Sequence, residues 1–217
     1  MRNEKGRFFK IKNMITKGFT LIELIIVIGI IALLATTVIL VINPAKLFQE
    51  ARDSQRIADF GQLNSALGLY LASASTPEMS VVGACGTNWW ASISALVAGS
   101  QPFATPAVAV ASQTITAANM RKVDGNGWIA VNFGLISSGS PLPALPVDPK
   151  NNDAASLATT GLFYAYQCQD SPNLTYELNT RMESTRFANT GNDDVESTDG
   201  GTSADIYEVG NVSGLGL

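Results

Sequence analysis

The sequence predicts an α+β protein in which a long N-terminal helix packs on a small antiparallel sheet. Three observations lead to this prediction: a predominantly apolar run over residues 19–42, apolar side chains at every third or fourth position over 57–71, and alternating apolar and polar residues over 162–169 and 174–182. The first two patterns are typical of helices, and the third is typical of strands with one buried face.

The apolar run contains a single charged residue, Glu23. A helix over residues 19–42 would be about 36 Å long, which is enough to cross a bilayer core of about 30 Å. A carboxylate within such a span is costly in lipid, and ionisable residues there mark functional sites. Glu23 is therefore a candidate functional residue. The alternative is an interfacial position from which its side chain reaches water.

A short basic leader precedes the apolar run. Over residues 1–18, six basic residues stand against a single acid, Glu4. Cytoplasmic segments beside membrane helices carry such an excess of Lys and Arg, so we expect the N-terminus inside and the C-terminal part outside. A secretory signal would instead place a small-residue cleavage site after the apolar run, and Ala32–Ala35 is only a weak candidate for one.

The junction between the leader and the apolar run resembles the type III signal of type IV pilins and type II secretion pseudopilins. The residues that carry the resemblance are Lys17-Gly18-Phe19-Thr20-Leu21-Ile22-Glu23, and the apolar residues up to Ala35 continue it. The resemblance implies that a membrane peptidase cuts between Gly18 and Phe19 and that the new N-terminal residue, Phe19, is N-methylated. It also implies an α+β headgroup on a long helix.

The resemblance divides the chain into four segments. They are a cleaved basic leader (1–18), a transmembrane and filament-core helix (19–42), the amphipathic half of the same long helix (43–75), and an extracytoplasmic globular headgroup with an acidic C-terminal tail (76–217). The precursor is then expected to be a single-pass protein of the inner membrane, and the assembled subunit is expected in a filament at the cell surface.

The function that the resemblance implies is structural. The chain is expected to be a prepilin that is processed after Gly18 and assembled through its N-terminal helix into a type IV pilus-like filament. Two alternatives stay open: a pseudopilin of a type II secretion system, and a single-pass membrane-anchored protein that binds ligands at the cell surface. The implied partners are copies of the same chain, other pilins, prepilin peptidase, an assembly platform with its ATPase, and membrane lipid before assembly.

Cleavage after Gly18 would leave an ammonium group on Phe19, four residues before the Glu23 carboxylate. Burying either charge alone among apolar helices is costly, and pairing the two offsets much of that cost. A pair between neighbouring subunits would fix the axial register of one helix against the next. A pair within one chain is also possible at this helical spacing. The resemblance favours the pairing between subunits.

Asn43-Pro44 interrupts the helical pattern, because proline lacks an N–H donor and clashes with the preceding turn. We therefore expect a helix break at Pro44. Beyond it, an apolar face should pack under the sheet, and the charged residues should form a solvated or intersubunit face. The apolar residues are Ile57, Phe60, Leu63, Leu67 and Leu71, and the charged ones are Arg52, Asp53, Arg56 and Asp59.

The headgroup sequence predicts further elements with less regular patterns. A short helix is expected around residues 90–97, a strand over 128–133 after a turn, a surface loop over 137–149, and a hairpin of the two alternating runs. The pair Trp89-Trp90 is expected in the core, with a carbohydrate or surface-binding platform as the alternative. The Asp-Pro pair at 148–149 resembles a segment of many major pseudopilins.

Cys85 and Cys168 are the two cysteines of the chain. If the headgroup folds outside the cytoplasm, oxidation is available and two cysteines allow one disulfide. The alternative is a pair of reduced, buried thiols, because spacing in the sequence does not establish proximity.

An acidic stretch near the C-terminus is the remaining candidate site. Hard oxygen ligands surround glycines over residues 192–208, and calcium accepts six to eight such oxygens. The segment resembles the Asp-Gly-Gly and Ala-Asp-Ile region of calcium-binding major pseudopilins, with Asp199 and Asp205 at the matching positions. No cofactor is otherwise expected. The alternative interpretation of this segment is a solvated tail.

Composition gives no support to several other functions. Removing residues 1–18 takes away six of 14 basic and one of 18 acidic residues, which leaves a net charge of −9. A domain this acidic carries no clear nucleic-acid signal, since affinity for a phosphate backbone needs clustered Lys and Arg. The chain contains no histidine, which excludes histidine-based catalysis and histidine metal sites. No nucleophile motif or paired base appears, so an enzyme is not expected.

Overall fold

A computed structural model describes residues 18–82, 84–93, 111–113, 115–151 and 160–212. The predicted leader therefore lies, except for Gly18, outside the described residues. The chain divides into two compact units, Met1–Pro44 and Ala45–Leu217.

In the described part of the first unit, helix α1 spans Leu21–Ile42. The stretch Leu21–Ile39 is long and apolar enough to cross a membrane, and none of it is buried within the structure. The hydroxyl groups of Thr36 and Thr37 donate hydrogen bonds to backbone carbonyls three residues earlier, each at 2.8 Å. These two hydroxyl groups are thus satisfied within the helix, as a span through hydrocarbon requires.

A second helix, α2, spans Pro44–Ser73. The residue between the helices, Asn43, has a φ of 45° in the left-handed region, which ends α1. The long helix is therefore interrupted at Asn43, one residue before the break that was expected at Pro44. Pro44 opens α2, because the missing N–H of proline has no consequence at the first position of a helix.

The predicted apolar face of α2 forms the main core. Phe60, Leu63 and Leu67 are fully buried, and Tyr70 joins them one turn further on. The predicted members Ile57 and Leu71 are only half-buried. This core also contains Tyr164, which immediately precedes β3, and side chains from the sheet: Tyr166, Cys168, Tyr176 and Leu178.

Within the described residues, the sheet has five strands in the order β2-β1-β3-β4-β5. Four of them, β1, β3, β4 and β5, pair with one another antiparallel, and the short β2 adds parallel to β1 at one edge. This confirms the α+β class with a small antiparallel sheet. The strands are β1 (Asn88–Ala91), β2 (Ala111–Gln113), β3 (Ala165–Gln169), β4 (Thr175–Thr180) and β5 (Tyr207–Gly210).

Strands β3 and β4 form the predicted hairpin, with Tyr166 opposite Leu178. The prediction of one buried face was wrong, because the second face is covered as well. A separate apolar cluster lies there, with Trp89, Phe163 and Ile206 among its members. Polar residues of β4 are also fully buried on this side of the hairpin.

Two predicted elements differ from the structure. Residues 128–133 form no regular strand: a single bridge joins Asp124 to Asn132, and a 3-10 helix covers Phe133–Leu135. The apolar run resembles a strand because Trp128–Val131 are all buried. In place of the helix around residues 90–97, Trp90 lies in strand β1, and residues 94–97 lie outside the described residues.

The stretch 137–149 is only partly a surface loop. It starts exposed, but Leu145 and Asp148 are buried. The indole N–H of Trp128 donates to the carbonyl of Pro146 at 2.7 Å and fixes the inner half of this segment. It therefore carries Asp148 into the interior of the headgroup.

Candidate processing and assembly site

The predicted cleavage bond, Gly18–Phe19, precedes the first residue of α1 and lies outside regular secondary structure. Both residues are exposed, and Phe19 retains 86% of its accessible surface. Thr20, which follows, has extended backbone angles. An exposed, non-helical peptide bond is the form in which a chain can enter a protease, so the local structure permits the predicted cut.

Glu23 and Thr20 form a reciprocal cap at the start of α1. The Glu23 carboxylate accepts hydrogen bonds from the Thr20 backbone N–H at 2.9 Å and from the Thr20 hydroxyl at 2.8 Å. In return, the Thr20 hydroxyl oxygen accepts the Glu23 backbone N–H at 3.3 Å. This is a capping box, which satisfies donors that a helix start would otherwise leave unpaired.

The capping box determines where the carboxylate of Glu23 lies. It lies at the backbone of Thr20, one residue after the nitrogen that cleavage would convert into an ammonium group. The chemistry that the arrangement allows is an ion pair at the start of the helix, either within the chain or with a neighbouring copy. The predicted roles of Phe19 and Glu23 in assembly stay predictions.

Helix α1 is apolar around its whole circumference. Those of its large apolar side chains whose exposure is described retain about half or more of their surface, with Val41 at 84% and Val27 at 46%. A helix that is hydrophobic all round is stable only within a membrane or in contact with other apolar surfaces. The geometry therefore fits a membrane anchor, and Glu23 is the only charged residue of the helix.

A buried ion-pair network that joins α2 to the headgroup was not predicted from the sequence. Arg56 on α2 contacts Asp148 through two hydrogen bonds, Nε to Oδ2 at 2.6 Å and Nη2 to Oδ1 at 2.9 Å. Its third contact is to Asp53, with Nη1 to Oδ1 at 2.7 Å. All three side chains are fully buried. The expected solvated or intersubunit face of α2 is wrong for these residues, and Asp59 is buried too.

Asp53 extends this network to the segment after β4. Its carboxylate accepts the backbone N–H groups of Glu183 at 2.8 Å and Ser184 at 2.7 Å. Glu183 in turn accepts two hydrogen bonds from Arg52, both at 2.7 Å. The network therefore joins α2 to two segments that are distant in sequence, one at Asp148 and one at Glu183.

The charges of the network are stabilised by their partners. Burial opposes the charge on Arg56, but hydrogen bonding to Asp148 and the charges of Asp148 and Asp53 outweigh it, so its pKa is raised. Burial also opposes the charge on Glu183, but hydrogen bonds from Arg52 and Lys150 outweigh it and lower its pKa. The shifts in pKa therefore favour the charged forms of Arg56 and Glu183 in the folded state.

The position of Asp53 and Arg56 on the helix could have revealed their burial. They lie seven residues before Phe60 and Leu63, respectively, so they continue the spacing of the buried apolar residues by two turns. The signal was obscured because charged residues are seldom fully buried unless they are paired. The partner, Asp148, is 92 positions away, and local patterns do not report it.

The structure joins Cys85 and Cys168 in a disulfide. Their Cα atoms are 5.0 Å apart, within the usual range for such a bond. Cys168 lies in β3 and is fully buried, whereas Cys85 belongs to the segment before β1. The bond thereby ties that segment to the centre of the sheet.

The two predicted calcium ligands take part in separate hydrogen-bond sets. Both carboxylate oxygens of Asp199 accept backbone N–H groups, from Gly201 at 2.8 Å and Glu208 at 2.6 Å. Asp205 is exposed and accepts a weak hydrogen bond from Asn189. Within the described ranges, no three Asp, Glu, Cys or His side chains are grouped so that they could hold a metal ion. The predicted role of Asp199 and Asp205 in binding calcium stays a prediction.

Comparison with known proteins supports the assignment of the N-terminal motif. Residues 14–39 match the family described as the prokaryotic N-terminal methylation motif, which is the prepilin signal of type IV pilins and pseudopilins. The match covers 26 of the 217 residues and includes Gly18, Phe19, Thr20 and Glu23. No curated protein and no solved structure matches the chain.

Proposed function

Because the chain carries the prepilin signal of type IV pilins and pseudopilins, we propose that it is a structural subunit of a type IV pilus-like filament. In this proposal a prepilin peptidase cuts after Gly18, and the subunit then leaves the membrane and assembles through α1 with other copies and other pilins. An assembly platform with its ATPase drives the step. The observation that supports this most directly is a methylation motif on an exposed apolar helix whose only charge is Glu23.

The position of Glu23 suits a role in assembly. An anchor that only holds a protein in lipid gains nothing from a carboxylate, since an ionisable group within a span raises the cost of insertion. A carboxylate at the start of α1 can instead neutralise the ammonium group that cleavage creates on a neighbouring copy. Such pairing would select one register among the many that apolar helices allow, since van der Waals packing alone discriminates weakly between them.

Substitutions of Glu23 test the proposal. We expect Glu23→Leu and Glu23→Gln to leave membrane insertion intact and to reduce filament incorporation by at least about tenfold, the effect of about 1.4 kcal/mol. Gln can still close the capping box, so this variant separates the charge from the helix cap. Thr20→Ser keeps the cap and serves as the control. Normal incorporation of Glu23→Gln would contradict the assembly role of the charge.

The disulfide supports the proposed topology. Disulfides form and persist in oxidising compartments, so Cys85–Cys168 favours a headgroup outside the cytoplasm. The excess of basic residues in the leader points to the same orientation. Protease treatment of intact spheroplasts should therefore digest the headgroup, whereas a cytoplasmic headgroup would be protected until the membrane is opened.

A pseudopilin of a type II secretion system is the second candidate. The Asp-Gly-Gly segment at 199–201 and the Asp-Pro pair at 148–149 favour it by resemblance. Fractionation separates the two candidates: a pilus subunit appears in fibres sheared from the cells, whereas a pseudopilin stays with the envelope. A surface-anchored binding protein is less well supported, because Trp89 and Trp90 are buried and form no exposed platform.

A further inference from the structure

We infer that the C-terminal acidic segment, residues 193–208, is held in place by hydrogen bonds from backbone N–H groups and needs no divalent cation. The inference concerns the headgroup alone and does not depend on the filament role. It contradicts the calcium site that the sequence resemblance implies at Asp199 and Asp205. The hydrogen bonds of the carboxylates in this segment carry the inference.

Three carboxylates of the acidic segment use both of their oxygens to accept hydrogen bonds from backbone N–H groups. Asp194 accepts from the N–H groups of Thr190 at 2.9 Å and Ser197 at 3.0 Å. Glu196, which is almost fully buried, accepts from Met182 at 2.7 Å and Asn189 at 3.0 Å. The third is Asp199. N–H donors next to a carboxylate stabilise its negative charge.

Asp199 connects the acidic segment to the sheet. Its Oδ2 atom accepts the N–H of Glu208, a residue of β5, the last strand in the sheet order. The carboxylate of Glu208 accepts the N–H of Ser203 at 2.8 Å. The two residues thus fasten the loop over 199–203 to β5 from both sides. Asp199 also occupies an edge N–H that could otherwise pair with another strand.

The surroundings of Asp205 are unfavourable for a cation. Its backbone carbonyl faces the Arg181 guanidinium, with Nη1 to O at 3.4 Å. A positively charged side chain at this carbonyl repels a second cation and competes for the same oxygen. Calcium needs six to eight oxygen ligands, and here the oxygens of Asp199 are directed at N–H donors. A cation at Asp199 would have to share oxygens that already accept N–H groups.

Thermal unfolding of the full-length chain in a nonionic detergent tests the inference. The midpoint is followed by tryptophan fluorescence in millimolar calcium chloride and in EGTA. We expect the two midpoints of the wild-type chain to differ by less than about 1 °C, because a cation that bound only the folded state would raise the midpoint by several degrees. A rise with calcium in the wild-type chain overturns the inference.

Two matched variants separate the roles of the carboxylates. Asp199→Asn places an amide where two N–H groups need acceptors, so its midpoint should fall by at least about 3 °C, equally in calcium and in EGTA. The unfolding midpoint of Asp205→Asn should stay within about 1 °C of the wild-type midpoint in both buffers. An unchanged midpoint for Asp199→Asn, or a loss of stability in Asp205→Asn that appears only in calcium, contradicts the inference. If Asp199→Asn fails to fold, the comparison of the wild-type midpoints in calcium and in EGTA still tests the inference.

Discussion

Arg56 forms a two-point ion pair with Asp148, and both side chains are fully buried. The pair joins the middle of α2 to the segment that precedes the sheet hairpin, across 92 positions of sequence. Because Asp53 binds the same guanidinium, Arg56 is neutralised from two directions. The interior between α2 and the headgroup is therefore organised by charge as well as by apolar packing.

Removing one partner of this pair should be severely destabilising. We expect Asp148→Ala to lower the free energy of unfolding by about 3–5 kcal/mol, because it leaves the buried Arg56 charge without its main partner. Urea denaturation of the full-length chain in detergent measures the effect. The control is Glu50→Ala, which removes a partly exposed ion pair to Arg186 and should cost less than about 1 kcal/mol. Equal effects of the two substitutions would contradict this account of the network.

The buried carboxyl group of Asp59 should make stability depend on pH. Burial raises its pKa above the ordinary value of 3.8, although a hydrogen bond from the Tyr164 hydroxyl at 2.8 Å opposes the shift. The folded state therefore holds the Asp59 proton more tightly than the unfolded state does. The stability that this proton contributes is fully present below pH 3.8 and is lost as the pH rises through the raised pKa.

Asp59→Asn should remove this part of the pH dependence, since asparagine stays neutral. The unfolding free energy of the wild-type chain is to be compared with that of the variant from about pH 4 to about pH 7. As the pH rises, we expect the unfolding free energy of Asp59→Asn to increase relative to that of the wild-type chain. The exposed control Asp205→Asn should follow the wild-type slope. A constant difference between Asp59→Asn and the wild-type chain would contradict the expected shift.

The disulfide should contribute substantially to the stability of the headgroup. It joins residues 83 positions apart, and the chain-entropy estimate for a loop of that length is about 4 kcal/mol. The double variant Cys85→Ala with Cys168→Ala should lose about that amount. Reduction of the wild-type chain should lower the unfolding midpoint, and the same treatment should leave the midpoint of the double variant unchanged. Alkylation of either cysteine before reduction would show that the bond is absent.

Two glycines should respond to alanine in opposite directions. At Gly127, an added Cβ would overlap the backbone carbonyl of Lys122, so Gly127→Ala should destabilise the headgroup by about 1–3 kcal/mol. At Gly68, on the exposed face of α2, nothing lies within 4 Å of an added Cβ. Gly68→Ala should stabilise the helix by about 0.5–1 kcal/mol. Chemical denaturation of both variants checks the sign of each effect.

The elements that the sequence predicted well depend on local or periodic signals. The apolar helix, the apolar face of α2 and the β3–β4 hairpin each follow from spacing over a few turns or a few residues. The position of the helix break was also close, because proline acts on its immediate neighbours. The capping box at Thr20 and Glu23 could have been read from the same residues, since its signal is purely local.

The elements that were missed depend on contacts between distant segments. Burial of Asp53 and Arg56 requires Asp148 and Glu183, and nothing in α2 alone shows that these partners will be present. The run at 128–133 was expected as a strand because burial on all sides and strand structure produce the same apolar pattern. The second buried face of the hairpin was missed because segments from elsewhere in the chain cover it.

The most direct test of the central claim is the N-terminal sequence of the chain in its assembled form. Fibres sheared from the native cells are to be digested, and the N-terminal peptide of this chain is to be read by mass spectrometry. The proposal predicts that the chain is present in the fibres and begins at Phe19, with a methylated amino group. A chain that keeps residues 1–18 and is found only in the membrane would contradict it.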